Sequence, residues 1–570
     1  MREQSGAERI IEVLTGAGVK YVFGLPGTQT LALFEALRKS PLQTILTTSE
    51  LTAGFMAGGL ARVTGKPGVI VTIPGPGFMW ALPGVAEALL DSVPLVHISG
   101  SPIDEPVGRT ARQQELLQAA IAAPLVKAVV DAGQYADPGE ATREALRLSR
   151  TGEPGPVLLH VSSATMANAF EQSDRRPTPP TQTAGRSAFT EVIARLRSAR
   201  RPIFIFGQGA NPHSRVVRRI VERVNAPLLV TPSARGLLPE THPLSFPFGA
   251  FVADMRALND LIDSSDLVLA AGCKLGNGST GGFELRLPAD RFIHIDASRE
   301  VVGSNYPASI EIVADIGDLL AELASSDLRP SSWTSVELES WRARIAADYS
   351  SAREPLIAGT SSGTASEFFN ALGRGLPDDA ILVLDSGLHQ VLARRYYKVL
   401  CPNGLIIPTD LQSMGFAIPT AIGARLGAPA RSVVALLGDG GFAMTGLELL
   451  TAVREKIALV VIVFVDDSLG QIRMQQLANY GATHGVALQN PDLQALAASI
   501  GVRYERAGDD IETVIRNAVG RQEVTLVEVA VGDTLKIRGH AALVRTGEAT
   551  KRLIRPRLFR ILRAMLRQRR

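Results

Sequence analysis

Residues 432–468 read SVVALLGDGGFAMTGLELLTAVREKIALVVIVFVDDS. SVVALL is a short, β-branched apolar run, the pattern of a strand buried on both faces of a parallel sheet. AMTGLELLTAVREK follows with helical spacing, and ALVVIVFV is a second strand of the same kind. Both strands stop at carboxylates: Asp439, fenced by glycines, and then Asp466 and Asp467. In an open parallel sheet, ligands bind beyond the carboxyl ends of the strands. Asp439 and Asp466 are therefore expected to converge at one edge. Neighbouring carboxylates repel, and each raises the other's pKa unless a cation lies between them. Hard oxygen ligands suit Mg²⁺ or Ca²⁺, and Mg²⁺ usually shares its shell with a phosphate. Gly440 and Gly441, at the helix start, would leave backbone N–H groups facing that phosphate. The stretch thus reads as a metal–diphosphate seat. The competing reading is a turn whose Asp caps a helix.

Strands alternate with helices outward from this stretch in both directions. GVKYVFGLPG, LQTILTT, GVIVTIPGPG, PLVHISG and PGPVLLHVSS mark strands of a first segment, 1–170. EQSDRRPTPPTQTAGR, 171–186, is polar and Pro-rich and reads as a linker. RPIFIFG, APLLVTP, DLVLAAG and RFIHID place a second segment at 187–325, and residues 323–360 read as a polar, partly helical connection. AILVLD, GLIIPT, SVVALLGDGG, ALVVIVFVDD and TLVEVAV make the third, 361–535. The fold class is α/β, with three doubly wound parallel-sheet domains. Whether the first and third share one architecture cannot be read from pattern.

The 570 residues are 46% hydrophobic and 20% charged, ordinary for a globular protein with a large core. The formal charge is +3, but nine Lys or Arg and no acid lie in 551–570. The body is thus mildly acidic, and the basic total does not point to nucleic acid. Cys273 and Cys401 make neither a disulfide framework nor a zinc site, so a cytoplasmic setting is the expectation. No apolar run approaches the roughly 20 residues of a membrane span. In the 536–570 tail, Leu558, Ile561, Leu562, Met565 and Leu566 recur at helical spacing among arginines. That pattern fits contact with an anionic membrane surface or an acidic partner, and equally a solvated end or a helix docked on its own protein.

The stretch from GDGG to VDDS resembles the cofactor motif of the thiamin diphosphate-dependent enzymes, in their acetolactate synthase-like branch. TTSELTAGFMAGGLARVTGKPGV, PGPGFMWALPGVAEALLDSVPLVHISG, GLHQ at 387–390 and QSMGFAIPTAIGA resemble other parts of that family's pattern, in the same order. The resemblance covers roughly 5–530 and implies pyrimidine-binding, central and diphosphate-binding domains in turn. It implies thiamin diphosphate and Mg²⁺, with Asp439, Asp466 and the carbonyl of Ser468 as metal ligands. Asp466 stands where many members have Asn, and some acetolactate synthases also have Asp. Glu50 would bond the aminopyrimidine ring and promote loss of the thiazolium C2 proton; otherwise it is an acid favoured in the first turn of a helix. Many members have His before this Glu, and here Ser49 stands there. The resemblance further puts Pro26, Gly27, Gly387, His389, Gln390, Met414, Gly438, Asp439, Gly440, Gly441, Leu469 and Gly470 at the cofactor. Met414 would prop it into a bent shape.

Gln114 matches a Gln that approaches cofactor and substrate, though Gln113 replaces the Phe that often precedes it; Lys127 matches a Lys of the same segment. A polar helix face explains both equally well. His97, His160 and His294 lie in apolar strands and read as core residues. Gln471 and Gln475 would face the substrate. Biosynthetic synthases have Trp near the position of Gln475, whereas flavin-independent ones have Gln. FGQGANPHS resembles the glycine turn of flavin-binding members, but GCKLGNGSTG at 272–281 lacks the Arg and acids of their next element, which argues against FAD. The expected activity is decarboxylation of a 2-oxo acid, most simply pyruvate, with carboligation to a 2-oxo acid or aldehyde. Alternatives are simple decarboxylation, an unusual acceptor in secondary metabolism, or a silent binding or regulatory homologue. A nicotinamide dehydrogenase would need a GxGxxG after the first strand, which is missing. A homodimer or homotetramer is implied, with Glu50 facing a neighbour's diphosphate domain.

Overall fold

The computed structural model describes residues 3–101, 113–170, 186–247, 255–350, 363–508 and 510–531. The basic tail and nearly all of the 171–186 linker lie outside these residues.

Each of the three segments folds around one six-stranded sheet in which all neighbours are parallel. In the first, the strands run in space as Gln43–Leu46, Tyr21–Gly24, Gly68–Thr72, Leu95–Ser101, Pro156–Ser162 and Ala128–Asp131. In the third they run as Leu405–Ile406, Ile381–Leu384, Val433–Gly438, Leu459–Val465, Val524–Ala530 and Arg503–Arg506. Numbered along the chain, both orders are 2-1-3-4-6-5, so the first and third domains share one architecture. The central sheet has the order 3-2-1-4-5-6, running from Ser245–Pro247 through Pro202–Phe206 and Leu267–Ala271 to Ile310–Val313. The two orders differ in where the second and third strands lie and in the exchange of the fifth and sixth, which apolar runs alone do not encode.

The middle strands are buried on both faces, as their β-branched composition requires. His97 is buried, stacks on Phe78 and lies 2.8 Å from the Thr72 hydroxyl; burial lowers its pKa to about 3. His294 is buried too, against the Cys273 carbonyl at 3.0 Å. Both are satisfied core groups, while His160 is only half-buried. The 323–360 stretch is more than a connection: Trp333 and Leu338, the latter on the helix Ser335–Ser350, join the central core. Trp341 and Ile345 pack against the same core, so Leu338, Trp341 and Ile345 form one apolar stripe at helical spacing.

The first and third domains form one body. The helix Glu50–Thr64 lies against Ala417–Gly427, and a single apolar cluster runs through both, with Phe55 edge-on to Phe416 at 5.6 Å. The backbones nearly touch. A Cβ at Gly59 would collide with the Thr420 carbonyl, and one at Gly423 with that of Met56. Gly58, in the same helix, has open space around its missing Cβ. Gly423→Ala is expected to cost about 1–3 kcal/mol by forcing the helices apart. Gly58→Ala is expected to be neutral or stabilising by about 0.4–1 kcal/mol. Thermal unfolding of the two variants side by side checks this, and equal effects would refute the account.

Candidate active site

In the third sheet the strand order reverses between Ile381–Leu384 and Val433–Gly438. A crevice outside the strand ends is expected at such a switch point. These strands run into Asp385 and Asp439, and the adjoining Leu459–Val465 runs into Asp466. Asp439 is buried and heads the helix Asp439–Thr445. Its Oδ1 accepts from Gly440 N–H at 2.8 Å. Its Oδ2 accepts from Asp467 N–H (2.8 Å) and Asn490 Nδ2 (2.7 Å). The Gly440 N–H, expected to face a phosphate, is thus directed at the neighbouring carboxylate. Asp466 Oδ1 accepts the Ser468 N–H at 3.1 Å. Burial, then the charge of Asp439, raises the Asp466 pKa to about 6. The buried Ser468 hydroxyl has no hydrogen-bond partner among the described residues. Two convergent carboxylates that repel, beside an unsatisfied hydroxyl, fit a bound divalent cation.

Around this pair lie the other expected residues. His389, after Gly387 (φ 147°), is buried, and its Nε2–H donates to the Asp385 carbonyl at 2.9 Å; burial lowers its pKa to about 4, so the ring is neutral. A Cβ at Gly438 would lie 3.6 Å from His389 Nδ1. Gln390 is buried and donates to the Pro408 carbonyl at 3.3 Å. A Cβ at Gly440 would press on Leu469 Cδ2 at 2.9 Å and Met414 Cε at 3.1 Å, so these two side-chain ends lie against the turn. Gly470 abuts the Asp466 carboxylate in the same way. Met414, Leu469, Gly470 and the GDGG turn therefore meet in one place. Asp385 organises them from below: its buried carboxylate accepts from the N–H groups of Ser386, Gly415 and Ala417 at 2.8–3.0 Å. Sequence reasoning missed Asp385 and Asn490. Asp385 carries the same signal as Asp439, a carboxylate where an apolar strand stops; Asn490, in a loop, carries none.

The first sheet has its own switch point, between Tyr21–Gly24 and Gly68–Thr72. Past these strands come Pro26 and Gly27, with Gly27 hard against the Ile73 side chain, and the PGPG turn. Glu50 opens its helix at the same edge. A Cβ at Gly77 would sit 2.7 Å from Glu50 Oε1, so the turn makes room for this carboxylate. Gln114 (φ 62°) lies over Gly75, whose added Cβ would be 3.0 Å from Gln114 Cα, and accepts from Gln29 Nε2 at 2.8 Å. Glu50, Gln114, Pro26 and Gly27 thus share one rim, joined by Gln29, which carried no motif.

The described contacts of the Glu50 rim come from residues 26–114, and those of the Asp439 cluster from 385–490. The two groups of contacts share no residue. Lys127 belongs to neither: it precedes the strand Ala128–Asp131, at the opposite end of the sheet, and its ammonium holds the Thr151 and Glu153 carbonyls. That makes it a structural residue. Gln471 and Gln475 lie one turn apart on the helix Gly470–Tyr480, half-buried and exposed respectively. At the central sheet's switch point a cavity of about 430 Å³ is lined by Gln208, Gly209, Cys273 and Lys274. Lys274 is engaged there by Glu153 at 2.8 Å and the Leu90 carbonyl at 2.6 Å.

Three successive parts of the chain match the thiamine pyrophosphate enzyme family: its N-terminal TPP binding domain over 4–121, its central domain over 189–323 and its C-terminal TPP binding domain over 385–529. The chain belongs to the thiamine pyrophosphate enzyme family, in its acetolactate synthase-like branch. The large subunit of acetolactate synthase isozyme 1 of Escherichia coli is 30% identical, over 84% of each chain. A "probable acetolactate synthase large subunit" of Methanocaldococcus jannaschii is 29% identical over 92% of each. A "probable 2-ketoarginine decarboxylase" of Pseudomonas aeruginosa is 31% identical, over 92% of this chain and 94% of its own. The chain is accordingly a thiamine pyrophosphate-dependent enzyme. No helix among the described residues is long and apolar enough to cross a membrane.

The loop carrying Met414 is also held from the first domain, where the buried Glu87 carboxylate accepts the Ser413 N–H at 3.3 Å. Burial, then the neighbouring Asp91 charge, raises the Glu87 pKa to about 7 from 4.5. An acid with a raised folded pKa keeps a proton that the unfolded chain loses, so its contribution to stability falls as pH rises from about 4.5 to about 7 and is flat above. Glu87→Gln is expected to remove part of that fall and to raise Tm relative to the parent at pH 8 more than at pH 5. Parallel Tm-versus-pH curves would contradict this.

Proposed function

We propose that this enzyme is a thiamin diphosphate- and Mg²⁺-dependent 2-oxo acid decarboxylase and carboligase that takes pyruvate and forms a 2-hydroxy-ketone such as acetolactate. The observation that carries the reading is the Asp439–Asp466 pair at the third sheet's switch point, with the unsatisfied Ser468 hydroxyl beside it. Asp439, Asp466 and the Ser468 carbonyl would hold the metal, and Gly387, His389, Gln390 and Gly441 would line the diphosphate. When bound, the cofactor supplies an electron sink for loss of CO₂ from the 2-oxo acid. Met414 and Leu469, pressed against the glycine turn, would form an apolar wall supporting the cofactor and shielding it from water. Glu50 holds a proton at the aminopyrimidine and orients that ring. Gln114, beside Gly75, is placed to orient substrate, and Gln471 and Gln475 to bound its acceptor. FAD stays outside this scheme, since GCKLGNGSTG at 272–281 lacks the Arg and acids of the flavin-binding members.

As two half-sites, the Glu50 rim and the Asp439 cluster call for a second copy of the chain. Met79 and Trp80 are exposed on the helix that follows the third strand of the first sheet; Met444 and Leu447 are exposed just after the corresponding strand of the third. Such apolar patches are what an obligate interface buries. A two-fold dimer in which each patch meets the other would bring Glu50 of one chain to Asp439 of its partner. The second reading, simple decarboxylation of a larger 2-oxo acid, draws on the relative named for 2-ketoarginine.

Purified protein with thiamin diphosphate and Mg²⁺ is expected to consume pyruvate and release acetolactate, with FAD making no difference. Acetaldehyde without acetolactate would favour the second reading, and cofactor binding without turnover of any 2-oxo acid would refute both. Glu50→Gln is expected to slow C2 proton exchange of bound cofactor by about 10²–10⁴-fold, the usual worth of a positioned acid or base. Asp439→Ala is expected to abolish Mg²⁺-dependent cofactor binding, read by calorimetry. Trp80→Glu is expected to yield a monomer in analytical ultracentrifugation and to lose activity with it.

A further inference from the structure

A cavity of about 1080 Å³ opens between the central and third domains, away from both half-sites. The third domain's share of its wall is the last turn of the helix Leu388–Tyr396, where Arg394, Arg395 and Tyr396 stand. His389 and Gln390 lie on the first turn of that helix, about 9 Å away at 1.5 Å per residue. The opposite wall comes from the edge strand Ser245–Pro247 and from the helix Ser335–Ser350.

Not all the charges here neutralise one another. Arg235 pairs with Glu240 at 2.5 and 2.8 Å and caps the carbonyls of Arg394 and Tyr397, so it is fully used. Arg342 spends its donors on neutral carbonyls, those of His242 and Glu240, both at 3.1 Å. Its charge meets no carboxylate among the described residues. Arg395 is the sharper case. Its Nε and Nη2 are buried and have no hydrogen-bond partner among the described residues. Its guanidinium lies only against the Tyr396 ring, 5.2 Å from the centroid. The Ser245 hydroxyl, also buried on this wall, has no partner either. Buried donors left unmade are costly and rare in folded proteins. Arg395 and Ser245, one from each domain, carry three such atoms on one cavity wall, where a ligand that shifts the wall slightly would complete their bonding. Leu244, Phe246 and Leu338 supply apolar wall between them. The volume is of the order of known small-molecule sites, about 300–1,000 Å³.

We propose that this cavity is a second small-molecule site, taking an organic anion whose carboxylate or phosphate is gripped by the Arg395 fork and whose body rests on the apolar wall. Ser245 bonds a polar group of the same ligand. Arg342 adds a charge that no carboxylate among the described residues pairs with, although Glu222 and Glu339 also line the cavity. Since both half-sites lie elsewhere, the occupant is an effector and not a substrate.

The test uses the full-length protein saturated with thiamin diphosphate and Mg²⁺, so that the cofactor's own phosphate seat is filled. Benzoate, phenyl phosphate and the neutral benzyl alcohol serve as probes in titration calorimetry. One of the anions is expected to bind once per chain and the alcohol not to bind; which anion binds separates a carboxylate site from a phosphate site. Arg395→Gln is expected to weaken that anion about tenfold or more, the worth of a charged hydrogen bond. Ser245→Ala is expected to weaken it several-fold. Arg395→Lys keeps the charge and loses the fork, so it should also bind less well; it stands in should the Gln variant fail to fold. Binding by neither anion, equal binding of the alcohol, or unchanged affinity in the Arg395 and Ser245 variants would overturn the proposal.

Discussion

The close crossing of the helices Glu50–Thr64 and Ala417–Gly427 is the constraint on which the rest of the arrangement depends. Glycine at 59 and 423 lets backbone meet backbone, and no side chain could be added without parting the domains. Both helices carry site residues at their amino ends: Glu50 on one, and the Met414–Phe416 loop on the other. Fixing the crossing therefore fixes where each rim faces. Bonds from Thr48 to the buried Glu448, and from Ser413 to Glu87, tie the same two loops across the interface.

Two sheets of one topology, joined in this way, present similar edges for different work. At each switch point a glycine turn clears space beside a carboxylate: Gly77 beside Glu50, and Gly441 above Asp385. The first rim offers a carboxylate and an amide. The third offers two converging carboxylates with main-chain donors around them. The central sheet, with another strand order, binds the third domain through Arg235 and Glu240, whose ion pair sits with the Tyr397 carbonyl between the two units. That clamp holds the far end of the helix whose start bears His389.

The buried charges show how the fold keeps a reactive edge in order. Asp439 is surrounded by donors, whereas Asp466 faces burial and a like charge, and its pKa rises. Asp385 lies deeper and is met by main-chain N–H groups on three residues of its surroundings. Asp385 supports the loop, Asp439 is held in position by its donors, and Asp466 converges on it under the strain of a like charge. Their roles follow from the donors around them and not from residue type.

Much of this was legible in the chain. Apolar, β-branched runs ending at Asp439 and Asp466 announce parallel strands and a ligand edge, because strand period and burial are local properties. GLHQ, the GDGG turn and Glu50 could be placed in order through the resemblance to the family's pattern. Other matters are decided by contacts between residues far apart in sequence, and local pattern is blind to them. Strand order is one, and with it the kinship of the first and third sheets. The partnership of Gln29 with Gln114 is another, as is that of Asn490 with Asp439. Lys127 matched a motif yet lies at the wrong end of its sheet, since a short match does not say which end of a strand a residue occupies. The Gly440 N–H turned to its own neighbour, because a buried carboxylate takes the nearest donor. Sequence by itself determined the strands, their carboxylate ends and the family. Only the tertiary structure decided the strand order and which distant side chains meet at each edge, because packing alone sets which edges face each other.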